Sequence, residues 1–545
     1  VIAKANAAFL YLGANYDTSG AGLVGRQSAS EGFLRAMARH GGVETLYCLC
    51  NVKEEFDDFT ARVAAYTGGS RPTAWISPPT LAELAKPGCL FRPGPDIGSL
   101  AWQRRHFGPE LFSLCGITHT TADHPAMDAL GALVSSPLEE WDALICTSQS
   151  VKKMVERLLA NQADWLGELC QASPPAPPFR RPVIPLGVAC EEFEGHSDNG
   201  LRDRLGIGQD EIAFLYVGRM THVEKSNPLP MHLALQQVAE KCTRKLHLIM
   251  AGWFATPELE DAFKATAKLF SPAVTCHFLD GRLPEIRRHI WFAADIFISL
   301  SDNIQETFGL TPIEAMAAGL PVLAGDWDGY RESVRNGVEG ILVPTLAPPP
   351  GAGADIAYLH ASGFAPYDVY TGATSQSTAI DVAACREAAL SLSENPELRR
   401  NLGEAGKLRA RAVYDWRHVI TAYQELWQEL AEIRQSGKSR FSKRLNPTRD
   451  DPYALFSHYP SFTLSEEMEI ELALGFSLEA LSRLYASPIG CPLPSLLLPP
   501  PAIASLVEKL SSGPKSIKKL GNNPSNLATI GWLAKMGLLK ASGFG

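Results

Sequence analysis

SLSDNIQETFGLTPIEAMAAGLPVLAGDWDGYRESV, residues 299–334, is the stretch on which the reading of the fold turns. The apolar run DIFISLS (295–301) leads into it and LPVLAG (320–325) closes its middle. Both are short and continuous, the pattern of strands buried on both faces of a parallel sheet. Between them the spacing predicts a helix: Thr311 suits the N-cap, Pro312 the first helical position, and Gly319 with Pro321 ends it. A strand, a glycine-containing loop and a helix start aim backbone N–H groups at the carboxyl end of a sheet, where α/β folds bind anions, phosphate above all. Glu306 stands in that loop beside Phe308, Gly309 and Leu310. Glu314 forms Thr311-x-x-Glu314, the spacing of a capping box, and can equally accept hydrogen bonds from sugar hydroxyls.

Outward from this stretch the same grammar repeats. IAFLYVG (212–218), LHLIMAG (246–252), VTCHFLDG (274–281) and GILVP (340–344) read as further strands separated by amphipathic segments. An earlier series, AFLYL (8–12), ETLYCLC (44–50), FSLCGIT (112–118), DALICTS (142–148) and PVIPLG (182–187), has the same form. Two doubly wound α/β domains follow, with a boundary near 190–210. APPPGAGAD (347–355) reads as a loop insertion, with helices resuming at DVAACREAALSL (381–392). The expected division is a domain over 1–200, a second over 201–400, helices crossing back over 401–435 to brace the two lobes, a linker with a helical segment over 436–501, and a small mostly helical module over 502–545.

Composition narrows the function classes. The 545 residues are 46% hydrophobic and 20% charged, as in folded globular chains. Net charge is −9, against nucleic acid as the main partner. Eleven scattered cysteines without a Cys-x-x-Cys pair imply a reduced, cytoplasmic setting. No apolar run is long enough to span a bilayer. The chain opens without Met and without the order of a signal peptide, so part of the N-terminus is expected to lie outside it. Arg219 and Lys225 follow the strand 212–218, in the loop where such a sheet takes its ligand, and two cations there would stabilise charge on a leaving diphosphate.

This set resembles the retaining GT-B glycosyltransferases of family 4. Glu306 and Glu314, seven residues between them, with EAMAAGLPVLAG following, look like the family signature, and Gly218-Arg219…Lys225 is similar to its second hallmark. LIMAGW (248–253), FLDGRLPE (278–285), ADIFISLSD (294–302), ICTSQSVKK (145–153), IPLGV (184–188) and GEAGKLRARAVYDW (403–416) extend the likeness over residues 7 to 435. The resemblance implies two Rossmann-like domains facing a cleft and transfer of a sugar from a nucleotide-diphosphate-sugar to an acceptor hydroxyl with retention of configuration. It implies that Glu306 contacts the transferred sugar, Glu314 the ribose, Arg219 and Lys225 the diphosphate, and Phe308, Gly309, Leu310 and Thr311 the donor. Gly252, Arg282 and Leu283 would border the base. It implies no metal and no cofactor beyond the donor substrate, with front-face displacement and no side-chain nucleophile. The loop Thr221-His222-Val223-Glu224-Lys225 departs from relatives in lacking their Pro and Lys-Gly pair.

In the first domain, Gly20-x-Gly22-x-x-Gly25 matches a dinucleotide fingerprint in letters only, since about seven residues separate it from the strand. The resemblance makes Gly22 and Gly25 a loop where backbone approaches the donor phosphate and acceptor, and places His119 at a strand end near sugar or acceptor. Glycan, lipid-linked, protein and small-molecule acceptors all stay open. So does peripheral contact with the inner face of the membrane through Lys152, Lys153 and Arg157, against which a solvated helix face weighs. Residues 502–540 look winged-helix-like, with six lysines against one glutamate and no arginine; protein docking or self-association is favoured there over DNA. A sugar-nucleotide epimerase and a non-catalytic carbohydrate-binding or assembly protein are the competing readings.

Overall fold

Short apolar runs that cannot satisfy their backbone alone must pair, and runs joined by helices pair in parallel. The computed structural model describes residues 4–17, 25–69, 71–441 and 445–543. It contains two compact units, Val1–Arg444 and Leu445–Gly545. The first unit holds two six-stranded sheets. β1 (Ala8–Leu10), β2 (Leu46–Leu49), β3 (Thr73–Ile76), β4 (Cys89–Arg92), β5 (Ser113–Ile117) and β6 (Ala143–Ile145) pair in the order β3-β2-β1-β4-β5-β6. β7 (Ile212–Val217), β8 (Leu246–Gly252), β9 (Val274–Asp280), β10 (Ile296–Ser299), β11 (Val322–Gly325) and β12 (Gly340–Val343) pair as β12-β11-β10-β7-β8-β9. Every pairing in both sheets is parallel. This is the expected α/β architecture, two doubly wound lobes, and the strand order of each reverses once: at β1/β4 and at β7/β10.

Three expectations need correction. PVIPLG (182–187) is not a strand: only isolated bridges join Arg180 to Ala143 and Val183 to Cys146, because Pro182 and Pro185 cannot donate to a ladder. Instead β3 and β4 supply the two missing positions of the first sheet. Helices resume well before 381: Ala354–Ala361 begins at the end of the loop 347–355 and Tyr367–Gln376 follows, so the insertion runs over 345–380, on a base where Thr345–Leu346 pairs with Ala379–Ile380. The helix after β10 spans Leu310–Ala318 with Gly309, not Thr311, at its N-cap.

Helices near the end of the first unit touch both lobes. Pro396–Arg409 runs beside Leu310–Ala318, a Cβ on Gly403 or Gly406 meeting Gly319 or Met316. Trp416–Ser436 returns to the first sheet, where Tyr423 stands 4.6 Å from Phe33 and 5.8 Å from Phe91. One buried apolar cluster accordingly runs from Phe9, Phe33 and Phe91 through Trp416 and Trp427 to Ile313 and Met316.

In the second unit, Glu469–Leu472 lies between Lys515–Ser516 and Leu539–Ala541 in an antiparallel sheet. Helices Leu478–Ala486, Pro500–Ser511 and Pro524–Lys535 bury Leu481, Ile503, Leu506 and Leu533 with Ile470. Its core therefore draws on residues before 502 as well as after. Among the described residues no helix is long and apolar enough to cross a membrane.

Candidate functional site

Where neighbouring strands send their helices to opposite sides, the carboxyl edge of a parallel sheet opens into a crevice. In the second lobe that place lies between β7 and β10, and the loops leaving them carry the sequence candidates. Lys225 Nζ stands 3.2 Å from Glu306 Oε2, so the two loops meet through an ion pair. Arg219 pairs with Glu224. The N–H of Met220 donates to Trp253 at 3.0 Å, and that of Gly281 to Gly252 at 2.9 Å, which stitches the β7, β8 and β9 ends together. Gly252 must be glycine, since a Cβ there would stand 1.8 Å from the Gly218 carbonyl oxygen. Arg282 pairs with Asp280 at 2.9 Å and sits over the Trp253 ring, and Leu283 is exposed beside it.

Gly309 has φ 82°, and a Cβ on it would come within 2.0 Å of the Tyr330 ring. The chain can therefore turn into the helix two residues earlier than Thr311, which lies in its first turn without capping it. The capping-box reading of Glu314 falls with that, because the box needs Thr311 at the cap. Glu314 is instead enclosed against Arg287 and Glu192; burial raises its carboxyl above the usual range, Arg287 opposes this, and Glu192 adds to it. Phe308 is buried against Tyr414, ring centroids 6.1 Å apart. Among the described residues no side chain caps the helix start, leaving the N–H groups of Leu310 and Thr311 in a first turn suited to an anion.

The first lobe meets this edge. Thr307 Oγ1 donates to the His119 carbonyl at 2.8 Å, and Ser148 Oγ donates to the Thr307 carbonyl at 3.0 Å. Burial, with Arg26 assisting, lowers the His119 imidazole to about 4, so it is neutral near pH 7 and offers a hydrogen bond rather than a charge. Gly25 lies in the helix Gly25–His40, and a Cβ there meets nothing within 4 Å among the described residues; 18–24, just before it, lie outside them. Gly22 lies outside the described residues.

Four acids or amides that the motifs did not single out complete the site. Asp328, at φ 42°, accepts from Ser148 Oγ at 3.3 Å; burial, then the nearby Glu306 charge, pushes its carboxyl up to about 7. Glu332 accepts from the N–H groups of Gln149 and Ser150 at 2.6 and 3.3 Å, capping a helix of the opposite lobe. Burial also raises Asp302 to about 7, against hydrogen bonds from Ser375 and the Asn227 N–H. Asn303 is fully buried and binds the Val223 carbonyl at 2.9 Å. The DWDGYRE spelling (326–332), with its three acids just after a strand, was the available signal for two of these.

Residues 198–348 match the family model of the glycosyl transferases group 1. Among curated proteins, the chain is similar to a D-inositol 3-phosphate glycosyltransferase of Geodermatophilus obscurus, 31% identical over 216 residues that cover 39% of this chain and 47% of that protein. It is also similar to the protein of that name from Streptomyces scabiei, 30% identical over 257 residues, 45% of this chain and 56% of the other. The chain spans about half the length of the curated relatives it matches. Among solved structures, a sucrose-phosphate synthase from Thermosynechococcus elongatus aligns at TM-score 0.47 and 16% identity, over 78% of this chain and 96% of that one. A glycosyltransferase from Rickettsia africae aligns at TM-score 0.49 and 14% identity, over 75% and 96%. The matched segment 198–348 contains the β7 and β10 loops, hence Arg219, Lys225, Gly252, Glu306 and Glu314.

Chemically, the crevice offers two cations, a carboxylate on Glu306 and a helix start, with the His119 backbone bonded at its edge. Each cation already has a carboxylate partner, so an entering dianion would exchange with Glu306 and Glu224 for Lys225 and Arg219. Among the described residues no group of three or more His, Cys, Asp or Glu is placed to hold a metal ion.

Proposed function

We propose that the protein is a glycosyltransferase that moves a sugar from a nucleotide-diphosphate-sugar to an acceptor hydroxyl with retention of configuration. One observation carries this reading: at the reversal point of the second sheet, Lys225 and Glu306 meet at 3.2 Å beside an uncapped helix start, within the segment matched by the glycosyl transferases group 1 model. The diphosphate lies against Arg219, Lys225 and the N–H groups of Leu310 and Thr311, with the Phe308-Gly309 backbone beside it, and these take the part a divalent cation plays elsewhere. Once the phosphate holds Lys225, Glu306 is free to accept hydrogen bonds from the sugar. Glu314 holds the ribose, Gly252, Arg282 and Leu283 border the base, and His119 and Gly25 face the site from the first lobe.

In the transfer step the acceptor oxygen forms a bond to the anomeric carbon on the face the leaving diphosphate departs from. The carbon–oxygen bond to phosphate breaks, and the acceptor proton passes to the departing phosphate oxygen. A glycan, a lipid-linked glycan or a protein supplies the hydroxyl, in the cytoplasm or at the inner face of the membrane. In the second unit, the three-stranded ribbon packed with helices supports the winged-helix-like reading, and a role in protein docking or self-association belongs to the same proposal.

A thermal-shift screen of nucleoside diphosphates and nucleotide-sugars identifies the donor, since binding to the folded state raises Tm. Mass spectrometry of products from mixed acceptors then identifies the transfer. Glu306→Ala should lose turnover while keeping nucleotide binding; unchanged turnover would remove Glu306 from the site, and no Tm shift with any nucleotide would overturn the reading.

A further inference from the structure

The insertion between β12 and the helix Val382–Glu394 is poor in charge. From 345 to 380 it contains two aspartates and no Lys, Arg or Glu. Its helix Tyr367–Gln376 is seated on both loops of the crevice. The Thr371 hydroxyl donates to the Val223 carbonyl at 2.7 Å, and Asn303 Nδ2 donates to that same carbonyl at 2.9 Å and to the Thr371 carbonyl at 3.4 Å. Thr371 and Asn303 are both 0% exposed. A Cβ on Gly372 would come within 2.9 Å of Val223, so the helix approaches the cation loop as closely as glycine permits. One helical turn further on, Ser375 donates to the buried Asp302.

These ties fix the position of the helix start, and with it Tyr367. Its charged neighbours are Asp123 of the first lobe and Glu224, Arg219 and Glu306 of the second. The insertion also reaches the first lobe directly: His124 stands edge-on to His360 at 3.8 Å, and His360 stacks on Tyr370 at 4.0 Å. Tyr367 thus begins, within the electrostatic reach of the crevice's ion pairs, the helical turn whose Thr371 hydroxyl bonds both the Tyr367 carbonyl at 2.9 Å and that of Val223 at 2.7 Å.

We propose that Tyr367 is a specificity-determining residue of this site, its ring lying against the transferred sugar and its phenol hydrogen-bonding one sugar hydroxyl. The inference rests on the transferase reading given above. Rigidity is what makes it selective. A sugar whose hydroxyl points elsewhere leaves the phenol unpaired in a desolvated crevice, and sites built on such bonds discriminate strongly. Thr371 and Asn303 also hold the Val223 carbonyl of the cation loop from outside.

The test uses the full chain, with UDP, GDP and ADP by calorimetry and then UDP-glucose, UDP-galactose, UDP-N-acetylglucosamine and GDP-mannose in a donor-hydrolysis assay. Tyr367→Ala should hold nucleoside diphosphate affinity within about threefold, while the kcat/KM ratio between the preferred sugar and its epimer collapses about tenfold or more. Tyr367→Phe keeps the ring and removes only the hydroxyl, so it reports the hydrogen bond even if the alanine variant folds poorly. Gly372→Ala, which pushes the helix off Val223, should change the same ratio in the same direction. Nucleotide binding with an unaltered sugar ratio in all three variants overturns the role of Tyr367 and leaves the transferase reading standing. No nucleotide binding by the unaltered protein overturns both.

Discussion

Gly252→Ala puts the architecture of the crevice to a quantitative test. Gly252 ends β8, opposite Asp280 of β9, and its carbonyl accepts from Gly281 at 2.9 Å. An added Cβ would stand 1.8 Å from the Gly218 oxygen and 2.9 Å from its carbon, where ordinary contact begins at 3.4 Å. The end of β7 must therefore withdraw by about 1.6 Å, more than the give of a packed interior. Arg219 is covalently next to Gly218 and moves with it. Overpacking of this kind costs about 1–3 kcal/mol of stability. Displacing a positioned cation by about an ångström costs about 100-fold in turnover, and a weakened charge-assisted bond to phosphate, at about 1.5–3 kcal/mol, lowers affinity about 10- to 100-fold. Calorimetry with the nucleoside diphosphate found in the screen, beside donor hydrolysis and Tm, reads all three. Wild-type affinity and turnover in a variant of near-native Tm would refute the placement of Arg219 at the phosphate.

Gly25→Ala is the complementary case: its Cβ meets nothing within 4 Å among the described residues, so Tm should hold, while donor or acceptor kcat/KM should fall about tenfold if substrate passes there. Arg104 and Asp142, 1% and 0% exposed, form a bidentate pair at 2.6 and 2.7 Å. Arg104→Met strands the carboxylate and should cost about 3–5 kcal/mol in denaturant unfolding, with loss of Tm. His232 is fully buried with Nδ1 2.8 Å from Ser271 Oγ, and burial lowers its imidazole from 6.5 to about 4. Its folded value lies below its unfolded one, so its contribution is complete above pH 6.5 and is lost as pH falls from there towards 4. Urea unfolding should show a decline on the order of 3 kcal/mol across that window, reduced in His232→Gln; equal slopes would contradict it.

Much of the second lobe was legible because β7, β8, β10 and β11 are continuous apolar runs, buried along nearly their whole length. The first lobe hid two strands. Thr73–Ile76 is only half buried and carries an exposed Trp75, and Cys89–Arg92 ends in a charge, so neither stands out as an apolar run. The insertion helices escaped notice because Pro and Gly crowd 348–353 and no strong periodicity follows. Of the site, Arg219, Lys225, Glu306 and Glu314 carry motif spacing. Asp302, Asn303 and Asp328 do not, since what matters there is burial and partners from distant segments, 75 to 180 residues away in sequence for their bonds to Asn227, Val223 and Ser148. Thr311 was misassigned as the cap for a local reason: the positive φ of Gly309 lets the helix begin earlier, and no propensity rule weighs the Tyr330 ring that demands glycine there.

Hydrogen–deuterium exchange of the full chain, with and without saturating nucleoside diphosphate, locates the anion most directly. Slowed exchange concentrated in 218–227 and 303–312, and abolished in an Arg219→Ala/Lys225→Ala double variant, is the outcome this account predicts. Ligand-dependent protection confined to other segments, or unchanged by that double variant, would contradict it.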